Sequence, residues 1–314
     1  MLQTLLDHFL EFLRSKFKSP TGRSLTKLNG YVIKIYNDHS NTSRYEHDVL
    51  SEIARSNTIA FKVPRAFKLI KAQSGDMLIV ERVIGHNLDG YLWKFWLCND
   101  VKAVRSFYQL GKAMRELHSL DLSGLRTSNL PSSSFELKRR IIELAKGLVA
   151  LRVVDKEVFR AISSALEKLD VANEIFSRAT LHGELYFTHV LVQDGRIVLL
   201  DFHNAQKGPS YFDLAMLSVS LYVSLAFPFL ALKRLASLIG TFLKGYYGKD
   251  LNTKVIRSLK LAELYVALEE ILAYVNALHI KSSLTNLLTM LKIKRLRVAV
   301  KRIILPTLTT HQGH

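Results

Sequence analysis

The chain changes its hydrophobic period near residue 100. Before that point, short apolar runs "SLTKLN", "YVIKIY", "AFKLIKA" and "MLIVERV" are separated by turn signals at Asn29-Gly30 and Ser74-Gly75-Asp76. This is the pattern of a small antiparallel sheet. "SKFKS" and a Pro-Thr-Gly turn extend the strand-rich stretch toward the N-terminus. One helix interrupts it: Glu46, Val49, Leu50 and Ile53 recur at the spacing of a single helical face. Ser43, with Glu46 three residues later, predicts a capping box at its start. After residue 100 come three long helical periods, "VKAVRSFYQLGKAMRELHSL", "SSFELKRRIIELAKGLVALRVV" and "KEVFRAISSALEKLDVANEIF", with "TSNLPSSS" as a loop between the first two. "THVLVQ" and "RIVLLDF" then form a hairpin about Asp194-Gly195, and helices resume at Asp213. The expected fold is α+β and bilobal. Residues 1–85 form a small antiparallel β lobe with one helix and a leading amphipathic helix, "MLQTLLDHFLEFLRSKF"; residues 86–314 form a larger, mainly helical lobe.

Composition narrows the class without changing this outline. With 48% hydrophobic and 23% charged residues over 314 positions, the chain is globular and too long for one small core. A single cysteine, Cys98, excludes an internal disulfide and a cysteine-based zinc cage, and it predicts a reducing, cytoplasmic compartment. Asp7 and Glu11 interrupt the first apolar run, so it does not read as a secretory signal. Residues 214–232 carry no charge and reach the lower edge of membrane-spanning length, but Ser218, Ser220, Ser224 and Pro228 favour a buried core helix. The net charge is +17, no Asp or Glu follows Glu270, and Lys292, Lys294, Arg295, Arg297, Lys301 and Arg302 crowd one stretch. Anionic partners are favoured, and the basic C-terminal helix could contact the inner face of a membrane. Nucleic acid is the weakest of these readings, because no recognition motif accompanies the charge.

The candidate chemistry begins at Lys34. It shares a strand face with Val32 by alternation, where a lysine can either reach solvent or meet an acidic partner. Glu46 is that partner: a carboxylate on an apolar helix stripe is costly unless paired, although it could also serve only to cap its own helix. Glu52 rotates to the polar side. Asp201 emerges at the end of an apolar strand, where a metal ion or hydrogen-bond donors must compensate it, and Glu184 precedes it by seventeen residues across the hairpin. Together these residues resemble the parts of ATP-dependent phosphoryl transfer.

His182-Gly183-Glu184-Leu185, His189-Val190-Leu191-Val192, Leu200-Asp201-Phe202 and the stretch from Gly208-Pro209 through Asp213-Leu214-Ala215 resemble the aminoglycoside phosphotransferase-like branch of the protein-kinase-like fold, over about residues 20 to 250. "RYEHDVL" and "KVPRAF" resemble its helix and following strand, and "ERVIGHNL" looks like its interlobe hinge. The resemblance implies that Lys34 contacts ATP phosphates, Glu46 orients it, adenine meets the backbone near Glu81 to Val83, and Asp201 binds Mg²⁺. It implies that Asp213 braces the catalytic loop, although Asp213 could equally be a helix N-cap, and that His182 packs that loop. A GxGxxG loop is absent, leaving Gly22 with Thr21 and Ser24 to cradle phosphate, and no HRD, DFG or APE set marks an ordinary protein kinase.

Two letters depart from the family. Glu184 stands where Asp is usual, moving an oriented base by on the order of 1 Å, and His189 stands where Asn is usual. Imidazole suits Mn²⁺ better than Mg²⁺. "YFTHVLV" followed by "LLDFHNAQ" is similar to the lipopolysaccharide-core sugar kinases, which implies that His189 and His203 belong to an active variant; the alternative for either is a neutral hydrogen-bonding residue. The expected activity is transfer of the ATP γ-phosphoryl group, with Mg²⁺ or Mn²⁺, to the hydroxyl of a small molecule or (lipo)saccharide. Glu184 and Asp201 are the catalytic pair, and Asp201 and His189 the metal ligands. A polycationic aminoglycoside is disfavoured by the +17 charge, and an anionic or lipid-linked acceptor fits better, with "YLWKFWL" as a further surface element. The alternative is a catalytically silent nucleotide-binding module.

Overall fold

The computed structural model describes residues 23–28, 30–36, 41–72, 75–98, 101–223, 232–248, 251–278, 290 and 292–300. The leading amphipathic helix, Thr21, Gly22, and Lys301 and Arg302 lie outside the described residues, as do the side chains of Trp93 and Trp96.

A four-stranded antiparallel sheet is ordered β1 (Arg23–Leu28), β2 (Tyr31–Tyr36), β5 (Gly75–Glu81), β4 (Ala66–Ala72). Gly30, at φ 78°, lies between β1 and β2 and takes the left-handed conformation that glycine adopts without strain. Alternation divides β2 cleanly. Ile33 and Ile35 pack with Met77, while Tyr36, Leu78 and Val80 face helix α1 (Thr42–Arg55) and join the main core. Lys34 lies opposite Leu78 in the register and on that second face.

Helix α1 begins differently from the capping box expected at Ser43 and Glu46. Its N-cap is Asn41, in the left-handed region and without a side-chain cap bond. The Ser43 hydroxyl donates instead to the buried Asp76 carboxylate at the start of β5, and Glu46 turns into the protein. A tertiary partner outcompetes the local one, because a buried Asp76 left without donors would cost more than an uncapped helix end.

A second sheet joins distant parts of the chain in the order β3 (Phe61–Lys62), β9 (Arg196–Leu199), β8 (Val190–Gln193), β6 (His86–Asn87). The β8–β9 hairpin turns at Asp194 and Gly195, both at positive φ as a type I′ turn requires. A third ladder pairs β7 (Arg178–Leu181) with β10 (Gln206–Pro209).

The remaining mass is helical: α2 (Leu88–Cys98), α3 (Val101–Ser119), α4 (Ser134–Ala150), α5 (Lys156–Lys168), α6 (Tyr211–Val223), α7 (Leu232–Tyr247) and α8 (Thr253–Leu278), with residues 292–300 also helical. The fold is therefore α+β, a small antiparallel sheet with one helix beside a mainly helical lobe. Helices α3 and α7 approach until a Cβ on Gly111 or Gly245 would collide with the opposing backbone. The helix predicted to run to Phe176 stops at Lys168, because Leu169 is extended and the Ala172 amide donates to Ser258 Oγ on α8 at 2.7 Å. Helix α6 buries nearly every residue, and no helix of the described residues is long and apolar enough to cross a membrane. The basic stretch is only partly outward: Lys294 is exposed, but Arg295 is buried, Arg297 pairs with Asp155 at 3.4 Å and Lys292 sits over the Tyr274 ring.

Candidate active site

Strand β2, helix α1 and the end of β9 meet at one wall of a cavity of about 780 Å³. The Lys34 Nζ donates to Glu46 Oε1 at 2.5 Å and to Asp201 Oδ1 at 3.0 Å. Glu46 is fully buried and also accepts the Tyr36 hydroxyl, so the carboxylate on the apolar stripe is compensated by two donors. Tyr36 is two residues from Lys34, and the same alternation that pairs Lys34 with Val32 would have placed it on this face. Burial opposes the charge on Lys34, but Glu46 and Asp201 outweigh it and raise the ammonium above its ordinary range.

Asp201 follows β9 at φ 68°, an unusual conformation for a non-glycine residue. Burial would favour its neutral form, yet the hydrogen bond from His203 and the charge of Lys34 hold the carboxyl well below the usual carboxylate range. His203 bridges two acids: Nδ1 lies 2.9 Å from Asp201 Oδ1 and Nε2 lies 3.1 Å from Glu184 Oε2. Both nitrogens face carboxylate oxygens, which only the doubly protonated ring can satisfy as a donor. Glu184 Oε2 also accepts from Asn204 Nδ2 at 2.8 Å. Burial resists ionisation of Glu184, but the His203 bond and the charges of His203 and His189 together outweigh it, and its carboxyl is lowered.

The His189 Nδ1–H donates to the Glu184 carbonyl at 2.8 Å, and Nε2, which carries the lone pair in the neutral ring, lies 3.8 Å from Asp201 Oδ2. A carboxylate oxygen and an imidazole nitrogen facing each other across that gap suit a divalent cation whose other ligands are phosphates and waters. Among the described residues, no cluster of three or more His, Cys, Asp or Glu side chains is arranged to hold a metal unaided.

The loop carrying Glu184 is braced from below. Asp213, fully buried in the first turn of α6, accepts from the His182 amide at 2.7 Å and the Gly183 amide at 3.0 Å. It therefore binds the loop and is not the N-cap of its helix. His118 from α3 places Nε2 3.1 Å from Asp213 Oδ2 and Nδ1 2.8 Å from the Tyr246 hydroxyl. The sequence reading missed His118, a lone histidine in an amphipathic helix with no motif around it. His182 Nε2 meets the Leu200 carbonyl at 2.8 Å, and burial keeps its imidazole below the ordinary range. Glu81 and Val83 line the cavity with Pro64, Ile84 and Gly85, and Glu81's side chain turns away to the Arg65 amide.

A lysine strand tied to a helix glutamate, facing an aspartate at the end of a hairpin, gives a protein-kinase-like architecture. The profile of the phosphotransferase enzyme family matches residues 14–246, and the chain belongs to that family. Among solved structures, the chain is similar to the GDP complex of aminoglycoside 2'-phosphotransferase-IIIa, with a TM-score of 0.64 and 14% identity over 94% of this chain and 98% of that one. It is also similar to a choline/ethanolamine kinase family protein from Mesorhizobium loti, at TM-score 0.60 and 13% identity over 96% and 98%. A third similar structure is an amicoumacin kinase in complex with AMP-PNP, Ca²⁺ and Ami, at TM-score 0.54 and 12% identity over 91% and 90%. No curated protein matches the chain by sequence.

Proposed function

We propose that the protein transfers the γ-phosphoryl group of ATP to the hydroxyl of a small molecule or saccharide. The observation that carries this reading is the convergence of Lys34 and Asp201, 3.0 Å apart, on a cavity whose other end is lined by Glu81 and Val83. In this reading the small lobe of residues 1–85 and the larger lobe of residues 86–314 meet at the 82–85 segment. Adenine lies against the backbone of Glu81 to Val83, Lys34 holds the phosphates in the orientation that Glu46 imposes, and Gly22 belongs to the phosphate loop. The acceptor oxygen forms a bond to the γ-phosphorus as the bond to the β,γ-bridging oxygen breaks, and the acceptor's proton passes to Glu184. A divalent cation, Mg²⁺ or Mn²⁺, held by Asp201 and His189 would supply charge to the phosphates. The amicoumacin kinase bound to AMP-PNP and Ca²⁺ supports a nucleotide with a divalent cation.

The net charge of +17 favours an anionic or lipid-linked acceptor over a polycation, and the local similarity of residues 186–206 to the lipopolysaccharide-core sugar kinases supports a saccharide. A cytoplasmic protein with contact at the inner membrane face fits that acceptor. The test is thermal stabilisation by ATP with Mg²⁺ or Mn²⁺, followed by turnover in the wild type and Asp201→Asn. Stabilisation and turnover that is lost in the variant support transfer, and no stabilisation overturns it. The competing reading, a nucleotide-binding module without turnover, draws on the departures at Glu184 and His189. It is the outcome if ATP stabilises the protein but is never consumed.

A further inference from the structure

The longer side chain at Glu184 has partners fitted to its length. Asn204 Nδ2 and His203 Nε2 both reach Oε2, at 2.8 and 3.1 Å, and no hydrogen bond among the described residues reaches Oε1. The segment that supplies these donors is fixed independently. A Cβ at Gly183, which sits at φ 82°, would collide with the Asn204 carbonyl, so 203–204 is docked against the residue before Glu184. Tyr45 of α1 donates to the Ala205 carbonyl at 2.5 Å, and the Ala205 amide closes a turn onto Phe202 at 3.1 Å. The two backbones thus have little freedom to follow a shorter side chain.

Resting on the phosphotransfer reading, in which Glu184 takes the acceptor's proton, we infer that Asn204, with His203, is a positioning residue for Glu184. The two clamp Oε2 and present Oε1 to the acceptor. Glutamate at 184 is then not a weakened aspartate but one half of a matched pair. Shortening it by one C–C bond, about 1.5 Å, would carry both contacts beyond hydrogen-bonding distance.

The experiment measures consumption of Mg²⁺-ATP or Mn²⁺-ATP by the intact protein, with water as acceptor, alongside thermal melts that verify folding. Glu184→Asp, which supplies the family's usual residue, is expected to lower kcat by about 10- to 10²-fold with KM for ATP unchanged. Asn204→Ala should lower kcat in the same direction, and combining the two should cost less than the sum of their separate losses. The decisive variant is Glu184→Asp with Asn204→Gln. It moves the lost methylene to the partner and should recover part of kcat, which a general structural role for Asn204 would not produce. Glu184→Asp turning over as fast as the wild type, or additive losses with no recovery by Asn204→Gln, overturns the inference while leaving phosphotransfer standing. A wild type that binds ATP and never consumes it overturns the proposed function and this inference together.

Discussion

The two acidic clusters that meet at Lys34 are built on different principles. The Lys34–Glu46–Tyr36 cluster sits on regular elements, with its lysine and tyrosine on one strand face and its glutamate on a helix stripe, and Glu46 is excluded from solvent. The Glu184–His203–Asp201 cluster sits on turns, includes Asp201 at positive φ, is partly solvent-exposed, and depends on side chains bonding to one another. The first is rigid because the fold is rigid. The second is held by loop docking, with 203–204 packed on Gly183 and Asp213 bracing the facing loop, and its side-chain bonds complete it. Damage to the first should therefore appear in nucleotide binding and stability, and damage to the second in turnover with the fold intact.

Asp201→Asn, which breaks the point where the clusters meet, should have the largest effect: turnover falling by at least about 10³-fold, with reduced stabilisation by metal-ATP in a thermal-shift assay. Glu46→Gln attacks the buried cluster alone. It should cost about 3 kcal/mol in denaturant unfolding and raise KM for ATP, because the half-buried Lys34 loses the fully buried one of its two charged partners. His118→Asn touches neither cluster directly but removes a bond to Asp213. A loss of about 1 to 2 kcal/mol is expected, with turnover falling less than tenfold. The smallest effect is in pH dependence. Asp201's folded value lies far below its unfolded one, so its contribution is present above about pH 4 and drains as pH falls toward the folded value. Stability curves measured downward from pH 5 should be shallower in Asp201→Asn than in the wild type, by at most about 1.4 kcal/mol per pH unit.

This division also governs what the sequence disclosed. Lys34, Glu46 and the β8–β9 hairpin follow from strand and helix periods and a two-residue turn signal, because regular elements advertise their faces. Ser43 was misread as a cap since its actual partner, Asp76, is 33 residues away and no local pattern encodes the contact. The two-residue strands β3 and β6 are too short to show a period. Asn204 carried no signal of its own. Its bond to Glu184 spans 20 residues, and the departure of Glu184 from the usual aspartate is the one feature in the sequence that touches it. His118 was hidden for the same reason: its bonds to α6 and α7 arise from tertiary packing.

The second sheet also sets an order of assembly. Its central hairpin, β8–β9, closes locally and can form in about 1 to 10 μs, whereas the edge strands β3 and β6 are encoded more than a hundred residues earlier and are too short to persist alone. During synthesis both edges emerge long before their template, so the early strands wait for the hairpin to dock them. Weakening the Asp194-Gly195 turn should accordingly slow folding more than it hastens unfolding, since the edge strands dock only on a formed hairpin.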